Sequence, residues 1–264
     1  MPAEIIVHID AGDNETAPVL LTQFPQVKLL FANTRQGPGG GRNRLISNSS
    51  HEIIISLDDD SFPIDRDFFS CVHQVIVDHP KAGIIAMTVI NDGDTIVQRD
   101  ALCMQAADFQ GCACAYRRSM FIKTTGYIPL HPAYGMEETD VALQFLDAGF
   151  GIVRDFNLRI RHAHDNSRGR ERAVIAGHIA NTALLVFLRY PFRWWPLGAL
   201  QVINRVFYSV RRTNLVGALL GLFLIPSTII RHAGLRSPVA ASTIAEARQI
   251  RRTTLHVARE INSA

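Results

Sequence analysis

The chain has 264 residues and a formal net charge of +3, with 47% hydrophobic and 19% charged residues, which excludes a disordered or collagen-like chain and leaves room for one large α/β domain with an appendage, or two small domains. The small net charge hides an uneven split: residues 1–150 hold 10 basic and 19 acidic residues, net −9, and residues 151–264 hold 17 and 5, net +12. An acidic half can hold a cation, and a basic half can face phosphates on nucleotides, nucleic acid or anionic lipid.

In chain order, residues 4–10 form a short β-branched run closing on Asp10-Ala11-Gly12-Asp13-Asn14, a strand and then a polar turn. Residues 16–24 suit a short helix and 27–31 a second strand. Gly37-Pro38-Gly39-Gly40-Gly41 reads as a flexible loop opening into a helix over 42–49. Residues 52–57 make a third strand, apolar enough at Ile53-Ile54-Ile55 to be buried on both faces, and run into Asp58-Asp59-Asp60. A helix over 68–77 and a strand over 83–90 follow. Residues 98–109 carry no clear period. A strand over 111–116, a short helix over 118–124, a helix over 137–148 ended by Gly149, and strands over 150–153 and 158–160 complete the alternation. It predicts an open, mainly parallel α/β sheet. Beyond a polar loop at 165–172 the chain reads as helical to about residue 259. No basic region followed by an apolar core opens the chain, so no signal peptide is expected. The four cysteines are too few for a disulfide framework, and Cys112-x-Cys114 is tighter than the usual zinc spacing; buried thiols in a reducing compartment are expected.

Four constellations carry chemistry. Asp58-Asp59-Asp60 closes a buried strand, where open α/β sheets bind ligands; on an extended segment Asp58 and Asp60 would converge on one cation while Asp59 points elsewhere. The glycine segment with Arg42, Asn43 and Arg44 suits a phosphate at a helix N-terminus, and alone reads equally as a mobile linker. Glu137-Glu138-Thr139-Asp140 opens a helix, where carboxylates complement the dipole; beside a metal–phosphate site one of them would suit a general base. His162 and His164 share one face of an extended segment and could reach a metal, although a His pair in a loop is also a common surface feature.

Together, in this order, these pieces resemble the family 2 glycosyltransferases, whose GT-A fold binds nucleotide-sugars. The resemblance runs over about residues 4–181. It implies an α/β, Rossmann-like GT-A sheet that lacks the family's first strand, with a catalytic domain over 1–165 (a nucleotide-sugar half at about 1–100 and an acceptor half at about 101–165) and a helical, basic and apolar extension over 166–264. By that resemblance Asp10, Arg42, Asp58 and Asp59 would bind the nucleotide-sugar. Asp58, Asp60 and His162 would hold Mg²⁺ or Mn²⁺, with His164 a weaker candidate. Gly126 and Glu137 would lie on the acceptor side. Glu138, at the second acidic position of the family's Glu-Asp-x-Asp-Leu helix, would be the catalytic base. Two departures stand out: Glu138 replaces the commoner Asp, and Gln144 replaces the usual Arg. The implied activity is inverting, metal-dependent transfer of a sugar to a hydroxyl on a glycan or lipid-linked acceptor, in cell-envelope or surface-glycan synthesis. A sugar-phosphate nucleotidyltransferase and an inactive membrane-associated binding subunit are the alternatives.

Residues 215–230 are apolar but number only 16, with Pro226 inside, short of the usual span; residues 190–212 interleave aromatics with arginines. Peripheral contact with the inner face of the cell membrane through 190–230 is expected, with a buried core helix or an oligomer contact as the other readings. No nucleic-acid motif is present, and the arginines flank apolar stretches, so nucleic acid is not an expected partner.

Overall fold

In this computed structural model, described over residues 2–94, 103–130, 135–163, 172–211 and 214–263, the central strand is β5 (Ala82–Asn91). Alternate side chains of a strand point to opposite faces, and β5 uses both. Ile84 and Ala86 join a cluster with Phe121, Tyr127 and Phe145; Ile85 and Met87 join Phe68, Val72 and Ile76 on the other side. The strand is therefore sandwiched between helical layers. Phe145 is completely buried, and truncating it to Ala would cost about 3–5 kcal/mol.

The chain begins with β1 (Ile6–Ile9), α1 (Thr16–Gln23), β2 (Lys28–Phe31), α2 (Gly37–Asn48), β3 (Ile53–Leu57), β4 (Ser61–Pro63) and α3 (Phe68–Asp78). After β5 come β6 (Cys103–Gln105), β7 (Ala113–Arg117), α4 (Arg118–Phe121), α5 (Glu137–Asp147) and β8 (Gly151–His162). Four helices follow: α6 (Arg172–Arg189), α7 (Trp195–Arg211), α8 (Leu215–His232) and α9 (Ala241–Ser263). The six-stranded sheet has the order β3-β7-β5-β8-β4, with β6 also on β8, while β1 and β2 pair only with one another among the described strands.

The sheet is mixed, which corrects the mainly parallel expectation: β1–β2 and β5–β8 are parallel, and the four other pairings are antiparallel. Strand–helix alternation signals crossovers, but β4, β6 and β7 enter the sheet by shorter returns that leave no helical period between them. The two short strands expected over 150–160 are one strand, β8, with an irregularity opposite Ala86 and Thr88 of β5. There Asp155 turns its carboxylate onto the backbone N–H groups of Asn157 (2.7 Å) and Leu158 (3.2 Å), which is why the polar Asp-Phe-Asn stretch bends the strand without ending it.

The glycine segment is helix, not loop. Gly37 adopts a left-handed φ of 67° where α2 starts, and Pro38 sits in the first turn, where its missing N–H costs nothing. A Cβ on Gly39 would lie 3.1 Å from Cβ of Tyr127, and one on Gly41 3.0 Å from Nδ1 of His8. These glycines let α2 sit close to its neighbours.

The helices after residue 172 share the core of the preceding residues. Leu185, Val186 and Tyr190 pack with Leu143 of α5, with Ala107, and with Val239, Ile244 and Ala247. Residues 172–189 and 215–235 are each apolar and long enough to cross a membrane, but the first is mostly buried inside the molecule and the second mostly exposed.

Candidate active site

The acidic triple sits in a tight turn, not on an extended segment. The N–H of Ser61 donates to the Asp58 carbonyl (3.1 Å), and Ser61 Oγ accepts from the Asp58 N–H (2.7 Å), folding Asp58–Asp60 between β3 and β4. Asp59 is exposed. Asp58 and Asp60 are brought into one site by the strands around them. β4 pairs with the end of β8, placing Ser61 opposite His162, and the N–H of Ala163 donates to the Asp60 carbonyl at 2.8 Å. His162 Nε2 then lies 3.1 Å from Asp60 Oδ1. Cys112, just before β7, enters from the third side: ligand atoms of Asp58, Cys112 and His162 all lie within 4.8 Å of one another. Carboxylates and an imidazole at this spacing suit a divalent cation of the first transition row. His164 falls outside the described residues.

Arg42 lies behind this cluster. Its guanidinium is buried, with Nη2 on the Asp58 carboxylate and Nε donating to Ser56 Oγ (3.2 Å) and the Gly111 carbonyl (3.3 Å). Burial, the largest single effect, opposes its charge, but Asp58 together with Tyr127, Tyr116 and Cys114 outweighs it and holds the guanidinium above its ordinary value. Arg42 thus fixes Asp58, whereas the sequence suggested an arginine free to reach a phosphate. Asp10 is engaged as well. Oδ1 accepts from the N–H groups of Ala11 (2.9 Å) and Gln36 (2.8 Å), and Oδ2 from Gly37 (3.0 Å), so this carboxylate caps the start of α2. Burial pushes Asp10 up, but the three N–H bonds outweigh it and keep the group below the ordinary carboxylate value.

The second wall is the N-terminus of α5. Gly135 (φ 86°) and Met136 (φ 74°) are both left-handed, and Met136 is the one non-glycine residue with positive φ among the described residues. Such strain clusters where surrounding structure fixes a functional segment. Glu137 is buried, and burial, followed by the neighbouring Glu138, pushes it up to about 7 against the opposing pull of Arg42. Glu138 is half-buried and close enough to Cys112 and Cys114 to add to the upward push on both thiols; burial, the larger cause, takes each to about 12. Glu138, Asp58 and Cys112 therefore share one neighbourhood.

Asp140 faces the other way. Arg189 of α6 donates to it from Nε at 2.5 Å and Nη2 at 3.2 Å. Gln144 Nε2 donates to Asp140 (2.7 Å) and to the Gly126 carbonyl (3.1 Å), while Gln144 Oε1 accepts from the N–H and hydroxyl of Thr125. Asn43 clamps the adjoining Tyr127 backbone with bonds of 2.7 and 2.9 Å. Gln144 thus replaces the expected arginine by bracing the Gly126 turn, and Arg189 supplies the positive charge. Two residues escaped sequence reasoning. Arg189 lies 49 positions from Asp140 on a helix with no local signal for the contact. Cys112 was read as a buried thiol because the Cys-x-Cys spacing argued against a cysteine-only zinc site.

The turn and the buried arginine lie in the segment, residues 1–127, that matches a sequence profile described as Glycosyl transferase family 2. Asp10, Arg42, Asp58, Asp60 and Gly126 fall within this matched segment; Glu137, Glu138 and His162 follow it. No curated protein sequence matches the chain. Solved structures similar in fold include GalNAc-T7 with UDP, GalNAc and Mn²⁺ (TM-score 0.58, 12% identity, covering 72% of this chain and 42% of that one). The mannosyltransferase PcManGT from Pyrobaculum calidifontis, in complex with GDP-Man and Mn²⁺, gives a TM-score of 0.54 at 14% identity over 98% of this chain and 73% of its own. S. aureus TarS 1–349 gives 0.50 at 9% identity over 81% and 79%. The chain thus spans less than half the length of the first of these. The chain has the GT-A fold of these structures.

Proposed function

We propose that this chain moves a sugar from a nucleoside-diphosphate donor to a hydroxyl acceptor with inversion at the anomeric carbon. The observation that carries the reading is the meeting of Asp58, Asp60 and His162 beside the first-turn carboxylates of α5. Asp58, Asp60 and His162 would hold Mg²⁺ or Mn²⁺, and the bound ion supplies positive charge and Lewis acidity at the donor diphosphate. Arg42 keeps Asp58 oriented and partly neutralised. Asp10 fixes the helix that carries Arg42. Asp59, exposed at the tip of the turn, faces the donor. Glu138 takes the proton from the attacking hydroxyl, and attack opposite the departing diphosphate inverts the carbon. Glu137, pushed up to about 7, is about half protonated at neutral pH and lies on the acceptor side with the Gly126 turn. Glu138→Gln is expected to abolish transfer while calorimetry still detects donor binding; unchanged turnover would overturn the base assignment. A screen of nucleotide-sugar hydrolysis identifies the donor.

The same reading places the enzyme at the inner face of the cell membrane, acting on a lipid-linked or surface glycan. It is supported by Phe192, Leu200, Ile203, Leu219, Phe223 and Ile230, all more than 60% exposed except Leu219 at 57%. Residues 172–245 hold eight arginines and no aspartate or glutamate. Exposed apolar side chains among arginines, without acidic residues, suit an anionic bilayer surface.

A further inference from the structure

We infer that Cys112 is a thiolate ligand of the cation held by Asp58 and His162, and that it biases this site toward Co²⁺ and Zn²⁺ over Mg²⁺. The inference rests on the metal-dependent reading above and adds a donor to it. Three protein ligands on one such ion, each about 2.0–2.3 Å from it at tetrahedral to trigonal angles, stand roughly 3.3–4.0 Å apart. The Asp58, Cys112 and His162 ligand atoms already lie within 4.8 Å of one another, so side-chain adjustment on the order of an ångström closes the shell.

The three donors come from three different strand ends, each independently fixed. Asp58 follows β3, whose last residue, Leu57, pairs with Ala113 of β7, and this pairing puts Cys112 alongside Asp58. The Cys112 carbonyl accepts from Ser61 Oγ at 3.0 Å, tying it to the same turn that carries Asp60. His162 ends β8 opposite Ser61. Cys112 Sγ reaches its own neighbour Gln110 Oε1 only at 4.0 Å, a loose contact for a sulfur that faces two donors. Cys114, two residues on, packs with Tyr116 and Phe145 in the core and stands outside the cluster. The Cys-x-Cys pair is thus no chelate; one member joins a carboxylate and an imidazole instead.

The chemistry of the donor set sets the preference. An all-oxygen shell suits Mg²⁺, whereas a soft thiolate and an imidazole favour later first-row ions. On binding, the thiol releases its proton to water and the sulfur lone pair goes to the ion.

The test uses the full chain, stripped of metal and titrated with CoCl₂ in parallel by absorption and calorimetry. The expected result is a near-ultraviolet thiolate-to-cobalt band that grows with occupancy, is lost in Cys112→Ser and persists in Cys114→Ser. Loss of a direct ligand should weaken Co²⁺ binding by at least about tenfold, given that outer partners alone cost ~10–100-fold; Mg²⁺ binding should stay within about twofold of wild type. Co²⁺ binding to wild type without that band overturns the thiolate while leaving the metal site standing, whether or not the variants fold. A band that survives Cys112→Ser assigns the sulfur elsewhere and also overturns it. No Co²⁺ or Mn²⁺ binding at all removes the metal-dependent reading itself, and this inference with it.

Discussion

Arg189 on α6 donates through Nε to Asp140 on α5 at 2.5 Å, and both side chains are almost wholly buried, 3% and 5% exposed. The same guanidinium reaches Thr125 Oγ1 (3.1 Å) and the Ser237 carbonyl (3.2 Å), so one residue joins the α5 helix, the Gly126 turn and the segment leading to α9. Burial pushes Asp140 above its ordinary value even with Arg189 pulling it down. Removing the cation would strand a buried carboxylate. Arg189→Ala is therefore expected to cost about 3–5 kcal/mol in urea unfolding. Arg189→Lys should recover only part of it, because an ammonium lacks the planar fork that meets Asp140 from both Nε and Nη2. A loss below about 1 kcal/mol would show that the helices after residue 172 are dispensable to the site.

Glu137 gives the fold a pH signature. Its value in the folded protein is about 7 against an ordinary 4.5, so the folded state binds that proton more tightly than the unfolded chain does. Stability then falls as pH rises from about 4.5 to about 7 and levels off above. Glu137→Gln should flatten that slope, and at pH 8 it should exceed wild type by up to on the order of 3 kcal/mol. Urea melts at half-unit steps between pH 5 and pH 8 measure this; parallel curves for the two proteins would contradict it.

The Gly126 turn is held from two sides. Its φ of 66° is left-handed, and a Cβ there would stand 2.6 Å from Asn43 Oδ1, the atom that accepts the Tyr127 N–H. Gly126→Ala should cost about 1–3 kcal/mol from backbone strain alone, with more as the Asn43 clamp opens. The thermal midpoint should drop, and KM for the acceptor should rise more than KM for the donor.

Much of this fold was legible because its signals are local. Ile53-Ile54-Ile55 ahead of three aspartates marked β3 and the turn, and the apolar spacing of Phe68, Val72 and Ile76 marked α3. What failed to show was set by neighbours distant in sequence. The glycines of α2 read as a loop because their helical fit depends on Tyr127, 88 positions from Gly39, and His8, 33 positions from Gly41. The antiparallel returns of β4, β6 and β7 have no helical period between strands to reveal them. Arg189 and Cys112 joined the site through pairings that no spacing in the sequence encodes. The acidic and basic halves were visible from the start, and the pairing of Arg189 with Asp140 shows that one of the basic half's arginines serves the acidic half's helix.

The other arginines and the exposed apolar side chains of α7 and α8 lead to a measurement. Arg193, Arg211 and Arg231 are exposed, and Arg211 lies 4.3 Å from the ring of Phe207, itself half exposed. Each arginine near an anionic surface contributes about 1 kcal/mol, so the three together should favour anionic over neutral vesicles by roughly a hundredfold. Flotation with vesicles containing phosphatidylglycerol should carry the protein at low salt, with a smaller bound fraction at high salt, where the charges are screened and only apolar contact remains. Ile203→Glu combined with Phe223→Glu should abolish flotation at either salt while leaving the unfolding midpoint within a few degrees of wild type, since both side chains are more than 60% exposed. Equal flotation of wild type and the double variant would mean that these two helices do not meet the bilayer.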